Sequence, residues 1–156
     1  MRYATMIIST NNIQEEIRIE ILPEHTIYCD MDGTLIDTDY ANYLSYINAI
    51  KDVTRQKYDI QFNSRKRLNR KLLKEKIPNL TDNQFNAIVS LKTNYYSKYL
   101  AETKVNTPLA EFIRKCVRTN DAILVTCCRE KRAFETLQYH NLQRCFSRLI
   151  CWEALS

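Results

Sequence analysis

Asp30 and Asp32 stand two residues apart and are followed at once by Gly33, the only glycine among 156 residues. Average usage would place roughly eleven glycines in a chain of this length, so Gly33 marks a backbone task that other residue types perform poorly. The preceding Thr26-Ile27-Tyr28-Cys29 is β-prone, and residues two apart on a strand project to the same side. Two carboxylates held that close repel. They coexist if a divalent cation sits against one of them or if one carries a proton, and both conditions suit phosphoryl transfer. In that chemistry Asp30 is the nucleophile and forms an aspartyl-phosphate. Asp32 gives a proton to the leaving oxygen and later takes one from water. Gly33 lets the chain turn sharply with its amides facing a phosphate. Thr126 ends the apolar run Ala122-Ile123-Leu124-Val125, and its hydroxyl and the Cys127 amide would meet the same phosphate. The bland alternative for the acids is a solvated turn, against which the strand, the lone glycine and Thr34 all speak. For Thr126, simple capping of the next helix weighs about equally.

The elements that must position these groups are legible from periodicity. Met6-Ile7-Ile8 and the alternating Ile17-Arg18-Ile19-Glu20-Ile21 read as strands with Asn11-Asn12 as the turn between them, and Pro23-Glu24-His25 turns into the strand that ends at Asp30. From Asp39 to about Val105 the pattern is helical. Tyr40, Tyr43, Leu44, Ile47 and Ile50 form one stripe; Thr81 caps a second helix with Phe85, Ile88, Val89, Tyr95, Tyr96 and Tyr99. Thr107-Pro108 opens a third helix carrying Leu109, Phe112, Ile113 and Val117. A buried strand to Thr126, a helix with Ala133, Phe134, Leu137 and Leu142, and a strand over Arg148 to Trp152 complete an α/β pattern with a parallel sheet.

Composition bounds the function. The chain is 45% hydrophobic and 26% charged with net charge +5, and no apolar run approaches the ~20 residues that span a bilayer. Its first ten residues lack the apolar length of a secretory signal, which places the chain in the cytoplasm, off membranes, with six reduced cysteines. No CxxC pair is present, and a cysteine-phosphatase arginine six residues after Cys127 or Cys128 is absent, those positions being Ala133 and Phe134. The basic stretch Arg55 to Lys76 holds nine Lys or Arg against Asp59 and Glu75. It reads as a wet helical face rather than a nucleic-acid interface, since no recognition fold accompanies it.

Asp30-Met31-Asp32-Gly33-Thr34-Leu35-Ile36-Asp37-Thr38 resembles the first motif, DxDGTLxDT, of the haloacid dehalogenase (HAD) superfamily, and the run ending at Thr126 resembles its second. The helical insert after the first motif is similar to the C1-type cap of the phosphoglycolate phosphatase-like branch. The resemblance implies a Rossmann-like α/β core over residues 1–38 and 106–156, with 1–25 as an added N-terminal hairpin and 39–105 as the cap. It implies a magnesium-dependent phosphatase of small phosphorylated metabolites. Asp30 matches the nucleophile, its carboxylate and the Asp32 main-chain carbonyl match two magnesium ligands, Asp32 matches the acid/base, and Thr126 matches the phosphate-binding hydroxyl.

The superfamily's third motif, a lysine, and its fourth, an acidic pair, are expected beyond the strand at Arg148 to Trp152 and outside these residues; Glu153 would end that strand on the far side from Asp30. Lys131, Arg129 or Arg132 would then supply positive charge from the loop after Thr126. The open edge of the Asp30 strand is expected to be covered by the N-terminal hairpin, with Ile17 to Leu22 beside Thr26 to Asp30, or else by a homodimer contact. Two rival functions follow: a non-catalytic module that binds a phosphorylated ligand or a protein, and a nucleic-acid-associated protein using Arg55 to Lys76.

Overall fold

The computed structural model describes residues 3–10 and 13–151. The expected Asn11-Asn12 turn, and Trp152 and Glu153, lie outside them. Strands β1 (Tyr3–Thr10) and β2 (Ile13–Glu20) pair antiparallel, from Tyr3 opposite Glu20 to Thr10 opposite Ile13. Next come β3 (Ile27–Asp30), β4 (Ile36–Asp37) and the helices α1 (Asp39–Thr54), α2 (Arg70–Lys76) and α3 (Asp82–Tyr96). A 3₁₀ turn over Ser97–Glu102 leads to β5 (Lys104–Val105) and α4 (Thr107–Cys116). The described chain closes with β6 (Ala122–Thr126), α5 (Glu130–Tyr139), a 3₁₀ turn at Gln143–Cys145 and β7 (Arg148–Cys151). Two compact units result, one from the described residues up to Leu35 and from Val105 onward, the other from Ile36 to Lys104.

In the first unit β3, β6 and β7 form a parallel sheet in that order, with Ile27 opposite Ala122 and Asp30 opposite Val125. Both crossovers run in the same direction, so the right-handed rule puts α4 and α5 on one face. Burial shows the consequence: Cys29 and Leu124 are 6% and 0% exposed, whereas their strand neighbours Tyr28 and Val125 are 66% and 36% exposed. The hairpin forms, yet it is a separate sheet and does not pair with β3. The link between β2 and β3 has hydrogen bonds of its own. His25 N donates to the Leu22 carbonyl and Leu22 N to His25 Nδ1, while the Asn120 side chain donates to the carbonyls of Leu22 and His25 at 2.6 and 2.9 Å. The link is thus a hydrogen-bonded β-turn whose carbonyls are tied to the turn before β6.

In the second unit β4 pairs with β5, and the core gathers Tyr46, Ala49, Ile50, Ile60, Leu68, Leu72, Leu73, Ile77 and Ile88. The expected stripe on α1 is displaced: Tyr40 is 42% exposed, and the buried positions are Ala41, Asn42, Ser45, Tyr46, Ala49 and Ile50. Tyr43 and Ile47 pack against the core from its margin. Small residues carry the buried face because they let neighbouring backbone come close. Thr81 caps α3 in a reciprocal capping box with Gln84. The basic stretch is not one helical face. Arg55 adopts a left-handed φ of 58° that ends α1, and helix resumes only at Arg70, where Asn69 accepts from Leu72 N. Lys74 nevertheless lies over the Phe85 ring, 4.6 Å from its centroid.

Candidate active site

The site is built at the carboxyl end of β3, where Asp30 is the last strand residue. Gly33 has φ +79°, and a Cβ there would meet nothing within 4 Å. The backbone conformation, not crowding, is therefore what calls for glycine. The amides of Thr34 and Leu35 are both spent on the Met31 carbonyl, at 3.3 and 3.1 Å, so they do not face outward as expected from the sequence.

The two carboxylates have different partners. Asp30 is exposed and its Oδ2 accepts from Thr34 Oγ1 at 2.9 Å. Asp32 Oδ1 accepts from Arg132 Nη2 at 2.5 Å, with side chains only 21% and 12% exposed. A donor-only guanidinium beside the second acid offsets the repulsion between them.

Thr126 ends β6, 3% exposed, one residue past the partner of Asp30. Its Oγ1 accepts from Cys128 N at 3.3 Å, a local cap, and its hydroxyl also faces the Cys128 thiol. Both weighed roles of Thr126 are compatible with this geometry. Cys127 is exposed and Cys128 buried. Burial chiefly pushes the Cys128 thiol up to about 11; the nearby Asp32 charge adds to the rise, while the Thr126 hydrogen bond and Arg132 oppose it. Cys29 is pushed up to about 11 by burial and by the Asp30 charge. Neither buried thiol is a nucleophile near neutral pH.

Two further residues join the site, Thr34, read from the sequence as part of the motif, and Asn106, which was not. Thr34 fixes the Asp30 rotamer. Asn106, the N-cap of α4, donates its backbone N–H to the Leu35 carbonyl at 2.8 Å and its side-chain amide to the Thr34 carbonyl at 3.2 Å. An N-cap asparagine before Thr107-Pro108 was the available signal. Arg132 was one of three candidate cations. Asp37 Oδ1 accepts from Asp39 N at 3.0 Å, a local turn into α1.

The second unit holds a cavity of about 260 Å³ of its own, bordered by Tyr43, Phe62, Lys66, Arg67 and Lys76. Arg67 ion-pairs with Asp39 and donates to Thr38 Oγ1 at 3.1 Å.

Solved structures share this architecture. A "predicted phosphoglycolate phosphatase" from Haemophilus somnus superposes with a TM-score of 0.69 at 18% identity, covering 86% of this chain and 65% of the other. A HAD-superfamily hydrolase of subfamily IA from Geobacter sulfurreducens gives 0.63 at 15% identity, covering 85% and 64%. CbbY from Rhodobacter sphaeroides, solved in complex with phosphate, gives 0.64 at 16% identity, covering 82% and 63%. The chain has the HAD-like fold. Within that fold, β3 and β6 are the strands whose carboxyl ends carry the two motifs read from the sequence. The chain spans a little under two thirds of the length of each of these structures. No family model matches the sequence, and no curated protein matches it.

Proposed function

We propose that the protein is a HAD-type phosphatase that hydrolyses small phosphate monoesters through an aspartyl-phosphate on Asp30. The observation that carries this reading is the unequal treatment of the two acids. Asp30 is exposed, oriented by a hydroxyl and placed at the strand end. Asp32 is recessed and ion-paired. A nucleophile must be reached by substrate, whereas a proton-transfer group must be held still.

An Asp30 carboxylate oxygen attacks phosphorus, and the bond from phosphorus to the leaving oxygen breaks. Asp32, protonated on one oxygen while the other accepts from Arg132, delivers that proton to the leaving oxygen, releasing an alcohol. Water then attacks the aspartyl-phosphate, Asp32 takes its proton, and inorganic phosphate departs with Asp30 restored. The Gly33 amide and the Thr126 hydroxyl hydrogen are donors for the phosphate oxygens.

The Asp30 carboxylate and the Asp32 main-chain carbonyl are two hard oxygen donors, and no group of three His, Cys, Asp or Glu able to hold a metal occurs among the described residues. A two-oxygen set fits magnesium, which keeps several waters and takes substrate phosphate oxygens. When bound, it neutralises phosphoryl charge. Six free cysteines, one of them exposed, support the cytoplasm as the compartment, and no helix among the described residues is long and apolar enough to cross a membrane.

The test is hydrolysis of a panel of phosphate monoesters with magnesium and with a chelator in its place. Activity that needs magnesium and falls at least about a thousandfold in Asp30→Asn is expected. Undiminished hydrolysis by that variant removes Asp30 from the mechanism.

A further inference from the structure

We infer that Arg132 is the residue that positions Asp32 for proton transfer, resting on the reading of Asp30 and Asp32 as nucleophile and acid/base. Three cations follow Thr126 closely, and the structure separates them. Lys131 has a 76% exposed side chain and sits 3.9 Å from Glu135 one turn along α5. Arg129 is an exposed residue that precedes α5. Arg132 carries an ion pair to the acid pair, reaching Asp32 across 100 residues of sequence with a side chain 12% exposed.

The placement runs against local preference. Arg132 lies in the first turn of α5, where the helix dipole disfavours a cation. An arginine there, nearly buried, requires a partner that repays its desolvation, and Asp32 is that partner. The guanidinium reaches Asp32 Oδ1 through Nη2 and keeps its charge under all conditions, on a planar head that a lysine does not have. Asp32 lies in a single β-bridge, between turn residues Met31 and Gly33. Arg132 is mounted on a helix and supplies the rigidity that the loop lacks.

The consequence concerns the leaving group. An alkoxide is a poor leaving group and needs the proton from Asp32, whereas para-nitrophenolate departs without it. Loss of positioning therefore penalises alkyl phosphates more than aryl phosphates.

The experiment compares glycerol phosphate and para-nitrophenyl phosphate as substrates for the wild type and for Arg132→Ala, Arg132→Lys, Lys131→Ala and Asp30→Asn, each checked for folding by circular dichroism. Arg132→Ala is expected to lose roughly 100-fold in kcat on the alkyl ester and under about 10-fold on the aryl ester, with KM little changed. Added guanidinium ion restores part of the alkyl activity, Arg132→Lys retains an intermediate share, and Lys131→Ala matches the wild type. Equal losses on both esters without rescue, or no loss on either, overturn the inference and leave the phosphatase reading standing. A wild type inactive on both esters, or an Asp30→Asn variant as active as the wild type, removes the phosphatase reading and this inference with it.

Discussion

The Asn106 side chain donates to the Thr34 carbonyl at 3.2 Å across 72 residues of sequence, while its Oδ1 accepts from Leu109 N at 3.3 Å. One asparagine thus caps α4 and holds the loop that carries Asp30 and Asp32. Replacement by alanine removes both bonds and is expected to cost about 1–2 kcal/mol of stability. Asn106→Asp keeps the capping acceptor but loses the donor, and should cost less. Urea denaturation of the three proteins measures the order; equal stability of all three contradicts it.

Gly33→Ala tests why the chain spends its one glycine there. With no atom within 4 Å of a Cβ, the cost is conformational, about 1 kcal/mol for φ +79°. Asparagine tolerates positive φ better, so Gly33→Asn should be the milder change. Thermal melts decide, and a loss of several kcal/mol on Gly33→Ala would show that a side chain clashes at this position.

The thiols should separate by reactivity. Cys29 and Cys128, pushed up to about 11 mainly by burial, hold roughly a hundredfold less thiolate at pH 8 than an ordinary cysteine. Cys127 is exposed and is expected to react with iodoacetamide well before either of them in the native protein. Peptide mass mapping at short times reads this directly; early labelling of Cys128 would show that its environment opens.

Acid should weaken the fold through His140. Burial lowers its proton affinity below the ordinary 6.5, so below that pH the unfolded chain binds the proton more readily than the folded one. Stability contributed by neutral His140 is complete above 6.5 and declines as pH falls through and beneath it. His140→Gln removes this component, and a stability curve between pH 7.5 and 5 that is identical in the variant and the wild type would refute it.

How much of this was legible beforehand follows the range of the interactions. The strand to Asp30, the turn at Gly33, the Thr81 cap, the α4 start at Thr107-Pro108 and the strand ending at Thr126 are set by propensities and caps acting within a few residues, and they stand in the sequence. The α/β class follows from their order, and the expectation of a HAD-like fold from the resemblance carried by Asp30 to Thr38. The stretch from Arg55 to Asn69 misleads because its charge pattern suits an exposed helix. Arg55 in a left-handed conformation and the Asn69 cap break it instead.

What tertiary structure alone decided is which distant groups meet. Arg129, Lys131 and Arg132 are equivalent cations on paper. Helical geometry turns each residue about 100° from the last, so the phase of α5 brings Arg132 to Asp32 and turns Lys131 toward Glu135. The hairpin was readable as a hairpin, but its separation from β3 was not, nor were the bonds from Asn120 to the Leu22 to His25 turn, at nearly a hundred residues' separation. Local sequence chooses the conformation of each segment; the register of the sheet and the rotation of the helices choose the neighbours.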